Sequence, residues 1–186
     1  MRHTKLIAVG LVVLGAAVGP ACRRQPKPPD VAQLLADLAS GDTEKSGKAS
    51  LTILGHGELA VSGLIQMLEN ADPKLRARAA TTLWGLGANA KAAAAALGKA
   101  LGDDDVDVRR AAATALGNMG AFAEPAVQAL IGALKDKDSG VRQLSAKALG
   151  EIGPKARAAL PALDAAARFE GLRPAAEEAR RRIQAQ

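Results

Sequence analysis

The sequence predicts an all-α solenoid of about four helical hairpins with a capping helix at each end, and three observations lead there. Nearly half of the 186 residues are hydrophobic, yet the only aromatic ones are Trp84, Phe122 and Phe169. The apolar content is therefore mainly alanine, leucine and valine, which favours helices that approach one another closely. A step of 33 residues relates Leu83, Leu116 and Leu149, and also Leu64, Leu97, Leu130 and Leu163. A fixed period in this range is the mark of a repeat array. Finally, each period carries a helix start, an apolar helical stripe and a glycine stop.

At the N-terminus, Arg2 and Lys5 precede an uncharged stretch from Leu6 to Pro20, followed by Ala21 and Cys22. A basic start, an apolar run and small residues before a cut make residues 1–21 a predicted signal peptide. The run is shorter than the roughly 18 residues that would suggest a membrane span. The single cysteine, at the end of this stretch, resembles the lipobox of bacterial lipoproteins; Ala21 and Cys22 fit it, whereas Gly19 stands where that family prefers leucine. The resemblance implies a diacylglycerol on Cys22 and a chain anchored at the cell envelope, facing the periplasm or the surface. Arg23 after the cysteine favours the outer over the inner membrane on the same resemblance. The alternative is a short uncleaved anchor with an incidental thiol. Residues 22–29 carry three prolines and read as an extended tether of roughly 20 Å, with Arg23, Arg24 and Lys27 able to meet anionic headgroups.

Residues 30–186 form the predicted repeat domain, with repeats at 42–71, 72–104, 105–137 and 138–171 and a cap at 172–186. Val31, Leu34, Leu35 and Leu38 give the first capping helix its apolar stripe; Leu172, Ala176, Ala179 and Ile183 do so for the last. Asp42, Asp72, Asp105 and Asp138 are well placed to cap the first helix of each unit, and Pro73 suits a first helical position. Gly57, Gly87, Gly120 and Gly153 stop those helices. The first unit keeps a step of 30 in its first half and 33 in its second, so it lacks three residues between its helices. Helices are expected near 31–39, 43–55, 58–69, 73–86, 89–101, 106–118, 122–135, 139–151, 156–169 and 173–184.

The stretches Asp107–Gly120 (DVRRAAATALGNMG) and Gly140–Gly153 (GVRQLSAKALGEIG) resemble bacterial HEAT-like repeats, including those of phycobilisome lyase relatives. The resemblance covers about residues 40–171 and implies a right-handed superhelix with the second helices on its concave side. It implies little about activity, because such repeats serve scaffolds, adaptors and a few enzymes.

Arg76, Arg109 and Arg142 recur with the unit. They read as a structural ladder with Asp72, Asp105 and Asp138, bonding a neighbouring unit's aspartate or turn carbonyls; the other reading is a column that grips carboxylates or phosphates. Trp84 replaces Gly117 and Gly150 of later units and is either a partner-binding anchor or a gap filler. Gln128, with Gly132 and Ala92–Ala96, marks a small, weakly polar second-helix face that a partner would fit by shape.

His56 is the only histidine after the leader and makes a turn with Gly55 and Gly57, too few groups for a metal. Asp103, Asp104, Asp105 and Asp107 lack the spacing of a calcium loop. No catalytic residue, cofactor or metal is expected, and no small-molecule substrate. The charge of +6 divides into +2 in 1–21, +3 in 22–29, +2 in 168–186 and −1 in 30–167. A phosphate-tracking surface needs its charge on the folded body, so no nucleic acid is expected. The reading is a non-enzymatic scaffold or protein-binding module for an unknown envelope protein. A lyase-like catalytic repeat protein is the alternative, and a nucleic-acid-binding solenoid the second.

Overall fold

Helix starts and stops follow the local chemistry of each unit in the computed structural model, which describes residues 30–185. The leader, Cys22 and the tether lie outside the described residues. The first helices of the four hairpins are α2 (Thr43–His56), α4 (Pro73–Leu86), α6 (Val106–Met119) and α8 (Ser139–Ile152), each 14 residues long. Asp42, Asp72, Asp105 and Asp138 cap them, each carboxylate accepting from amides of the first turn, where free N–H groups need acceptors. The four glycines after them have φ between +47° and +69°. Their ψ values, from −108° to −142°, fall outside the left-handed helical well, in a region that side chains resist.

The second helix of each hairpin departs from the expected continuous α-helix. It begins as a 3-10 helix at Gly57–Ala60, Gly87–Ala93, Gly120–Ala126 and Gly153–Ala159. Only then does it become α-helical, in α3 (Val61–Met67), α5 (Ala94–Ala100), α7 (Val127–Ala133) and α9 (Leu160–Ala166). A 3-10 helix turns in three residues, so positions i and i+3 share a face. Ala90 and Ala93, Ala123 and Ala126, and Ala156 and Ala159 occupy that face and are buried. The missing three residues of the first unit come out of this segment, which is four residues long there and seven elsewhere. One whole 3-10 turn is lost and the inward face is preserved.

Each first helix packs on the next, α2 on α4, α4 on α6 and α6 on α8, with the second helices beside them. Ile53, Leu83, Leu116 and Leu149 reach 0% exposure along one column, and Leu64, Leu97, Leu130 and Leu163 along the other. The array is closed by α1 (Val31–Ala39), with Leu38 buried, and by α10 (Arg173–Gln184). Leu172, Ala176, Ala179 and Ile183 are buried against α8 and its hairpin. They follow Val141, Ser145, Ala148 and Ile152 by 31 residues, so the cap takes the place of another first helix after a loop two residues shorter. Among the described residues, no helix is long and apolar enough to cross a membrane.

Ser145 breaks an otherwise alanine column of Ala49, Ala79, Ala112 and Ala176. Its side chain is fully buried and its hydroxyl has no hydrogen-bond partner among the described residues. A buried polar group left unpaired costs roughly 1–3 kcal/mol. Ser145→Ala is therefore expected to stabilise the fold by about 1 kcal/mol, read as a higher midpoint in urea unfolding; an unchanged or lower midpoint counts against this packing.

Candidate functional site

The arginine column lies where successive hairpins meet at the turn before each first helix. Arg76 donates from Nε and Nη2 to both carboxylate oxygens of Asp103 at 2.7 and 2.8 Å, and from Nη1 to the carbonyls of Asn70 and Ala71. Arg109 repeats this with Asp136 at 2.9 and 3.2 Å and with the carbonyls of Asp103 and Asp104. Arg142 bonds the carbonyls of Asp136 and Lys137 through Nη1. The carboxylates of the ladder are thus Asp103 and Asp136. Asp72, Asp105 and Asp138 stand two residues further on and serve as N-caps. Asp103 and Asp136 also accept from the amides of Asp105 and Asp138, at 2.9 and 2.8 Å, which fixes both turns.

A second contact between units joins Arg110 to Asp138 through paired bonds of 2.9 and 2.7 Å. Hydrogen bonding from Arg110, aided by the Val141 amide, holds the Asp138 carboxyl at about 2, below its ordinary 3.8. The Arg76 pair likewise lowers Asp103. A depressed carboxyl contributes stability above its ordinary pKa and loses it as the pH falls through the folded value. Stability is expected to drop between about pH 4 and pH 2 as these groups take up protons. Asp138→Asn keeps a capping side chain and should flatten that slope in acid melts; an identical slope contradicts the assignment.

The terminal arginines are largely neutralised by the fold. Arg182 pairs with Glu151 of α8 at 2.6 Å and with Glu178, Arg180 with Asp164 of α9 at 2.6 Å, and Arg181 with Glu178. Lys155 and Glu124 link neighbouring 3-10 segments at 2.9 Å. The acidic cluster divides its work between the ladder (Asp103) and the N-cap (Asp105), and no group of three or more metal-ligating side chains is found among the described residues.

Two surfaces carry the residues singled out for binding. Gln128 is exposed on the second-helix face, in a column with Ser62, Ala95 and Pro161. Trp84 is on the first-helix side with 46% of its surface open, and Leu51 and Leu54 of α2 are exposed to 71% and 40%. Leu54 lies against Gly85, where an added Cβ would come within 2.7 Å of its Cδ2. An apolar patch therefore runs from α2 to α4. At Trp84-equivalent positions the next helices come close. A Cβ on Gly117 would meet Ala148 Cα at 3.5 Å, and one on Gly150 would meet Ala179 Cα at 2.9 Å.

A family model for HEAT repeats matches residues 61–131 and 119–181. The chain belongs to the HEAT-repeat family. The units in these matched segments are the ones joined by the arginine ladder, so this HEAT-repeat protein owes its stacking to leucine columns inside and ion pairs at the turns. No curated protein matches it in sequence. Among solved structures it is similar to a chain of the CpcE–CpcF complex of phycocyanin lyase from Nostoc sp. PCC7120. That match has a TM-score of 0.67 at 20% identity and covers 81% of this chain and 97% of the other. A designed armadillo repeat protein in complex with the peptide (KR)4 matches at TM-score 0.62 and 18% identity, over 83% and 82% of the two chains. An engineered protein matches at 0.60 and 22%, over 83% and 79%. These likenesses establish the solenoid architecture.

Proposed function

We propose that this HEAT-repeat chain is a non-enzymatic protein-interaction module, tethered to the bacterial cell envelope by a lipid on Cys22. The observation that carries the binding role is the half-exposed Trp84, one residue before the glycine that the exposed Leu54 packs against. Tryptophan is enriched among the residues that dominate binding energy, and its ring keeps nearly half its area in water here. The partner is an envelope protein that covers this apolar patch; the small second-helix face around Gln128 is a further surface for shape-based contact. The envelope location rests on the basic start, the apolar run and the placement of Cys22. The two solved repeat proteins named with partners, the CpcE–CpcF complex and the peptide complex, are in keeping with a binding role. The first of them belongs to a lyase, so a catalytic role is the competing reading. The two carboxylates that line the apolar cleft between α8 and α10, Glu151 and Glu178, are both held by Arg182, which keeps them from acting as a free acid–base pair.

One experiment tests both the binding role and the anchor. A photoreactive residue at position 84, and a control at exposed Thr114, are introduced into the full chain in intact cells, and the products are analysed by mass spectrometry. The expected result is one defined envelope protein crosslinked from position 84 and not from 114, on a chain whose N-terminus is acylated Cys22. Equal labelling from both positions contradicts the binding role, and an unprocessed N-terminus contradicts the anchor.

A further inference from the structure

The ladder is complete in the second and third hairpins and breaks at both ends, but in different ways. Ahead of Arg76, the equivalent first-unit position is Ser46, and Asn70 stands where Asp103 and Asp136 follow at steps of 33. Arginine and acid are thus lost together at that end. At the other end the arginine remains and the acid does not: 33 residues after Asp136 comes Phe169. Arg142 still uses Nη1 on two turn carbonyls, but its Nε and Nη2 have no hydrogen-bond partner among the described residues. That is the edge that Arg76 and Arg109 present to Asp103 and Asp136. A cleft of about 620 Å³ opens there, lined by Lys135, Ser139, Arg142, Phe169, Gly171 and Leu172 among others.

We propose that this open rung is a binding site for a carboxylate carried by a peptide segment of a partner, taken as a paired acceptor by Arg142. The guanidinium is already oriented by its carbonyl bonds, so little freedom remains to be lost on binding. Its free edge has the fork geometry that matches a carboxylate. Lys135 adds positive charge, Ser139 offers a hydroxyl donor, and Leu172 and Phe169 supply apolar walls for the residue bearing the acid. Asp136 also borders the cleft, but Arg109 holds its carboxylate. Two acids one rung apart are already accommodated in the intact ladder, where Asp103 precedes the Arg109–Asp136 pair. The site lies at the turn between the fourth hairpin and the cap, and stands independently of any role for Trp84.

The neighbouring Glu170, exposed and without an ion pair among the described residues, is the rival occupant from within the chain. The full chain is titrated by NMR with N-acetyl-leucine, N-acetyl-aspartic acid α-amide and neutral N-acetyl-leucinamide. These stand for a chain terminus, an acidic side chain and an uncharged control. The expected result is saturable shifts at Ser139, Arg142 and Gly171 with a Kd on the order of millimolar for one or both acids, as suits fragments of this size, and none for the amide. Arg142→Gln should weaken acid binding at least tenfold. Phe169→Asp should supply the missing acid in the chain, raising the thermal midpoint and abolishing binding. Equal binding of the amide, no saturable shift with either acid, or full binding in Arg142→Gln overturns the proposal. So does non-additive destabilisation by Arg142→Gln and Glu170→Gln, which would show that Glu170 already fills the rung.

Discussion

Leu116→Ala is expected to destabilise the fold by about 2–5 kcal/mol. Leu116 is 0% exposed on α6, and α6 packs against α4 on one side and α8 on the other. Removing its side chain loses the transfer energy of the buried atoms and leaves a cavity between two stacked units. The neighbours are alanine-rich, with Ala112, Ala113 and Ala115 all at 0% exposure. Such short side chains have no reach with which to close the gap, so the cost should fall in the upper half of that range. In an array where each unit touches only its neighbours, the same change at Ile183 in the cap should cost less, because it opens one contact rather than two. Denaturant midpoints of the two variants check this ordering.

Arg109→Ala is the second large effect, about 3–5 kcal/mol. The arginine is 3% exposed, and its removal strands the Asp136 carboxylate together with the carbonyls of Asp103 and Asp104. Breaking one side of a buried pair costs more than losing both. Arg109→Ala combined with Asp136→Ala should therefore be less damaging than the sum of the single changes, by more than the few tenths of a kcal/mol expected for independent sites. Arg110→Ala, next in sequence but half exposed with a pair at the surface, should cost no more than about 1 kcal/mol. A ladder that merely decorated the surface would give similar small losses at both positions.

The leucine columns, the aspartate caps and the glycine stops are legible in the sequence because each obeys the period and has its own local cause. Other features are written less openly. Asp72, Asp105 and Asp138 are the most regular acids and draw attention as partners of the arginines, yet capping is what keeps them in register. The signal for the true partners is the joint absence of arginine at Ser46 and of acid at Asn70. The 3-10 start of the second helices is encoded by glycine and alanine recurring every three residues, as at Gly87, Ala90 and Ala93. That spacing is easily read as an ordinary α-helical stripe. The exposure of Trp84 has no sequence signal beyond the glycines that replace it later. Those glycines report how close the next helices come, not which way a large ring turns.

The stacking of equivalent hairpins is tested most directly by native-state hydrogen exchange on the full chain. The amides of Leu83, Leu116 and Leu149 should exchange together in the slowest class, with those of Leu38 and Ile183 opening earlier from the two ends. If one of the three central leucines exchanged with the surface turns, while the other two stayed protected, the repeated units would not be sharing one continuous interior.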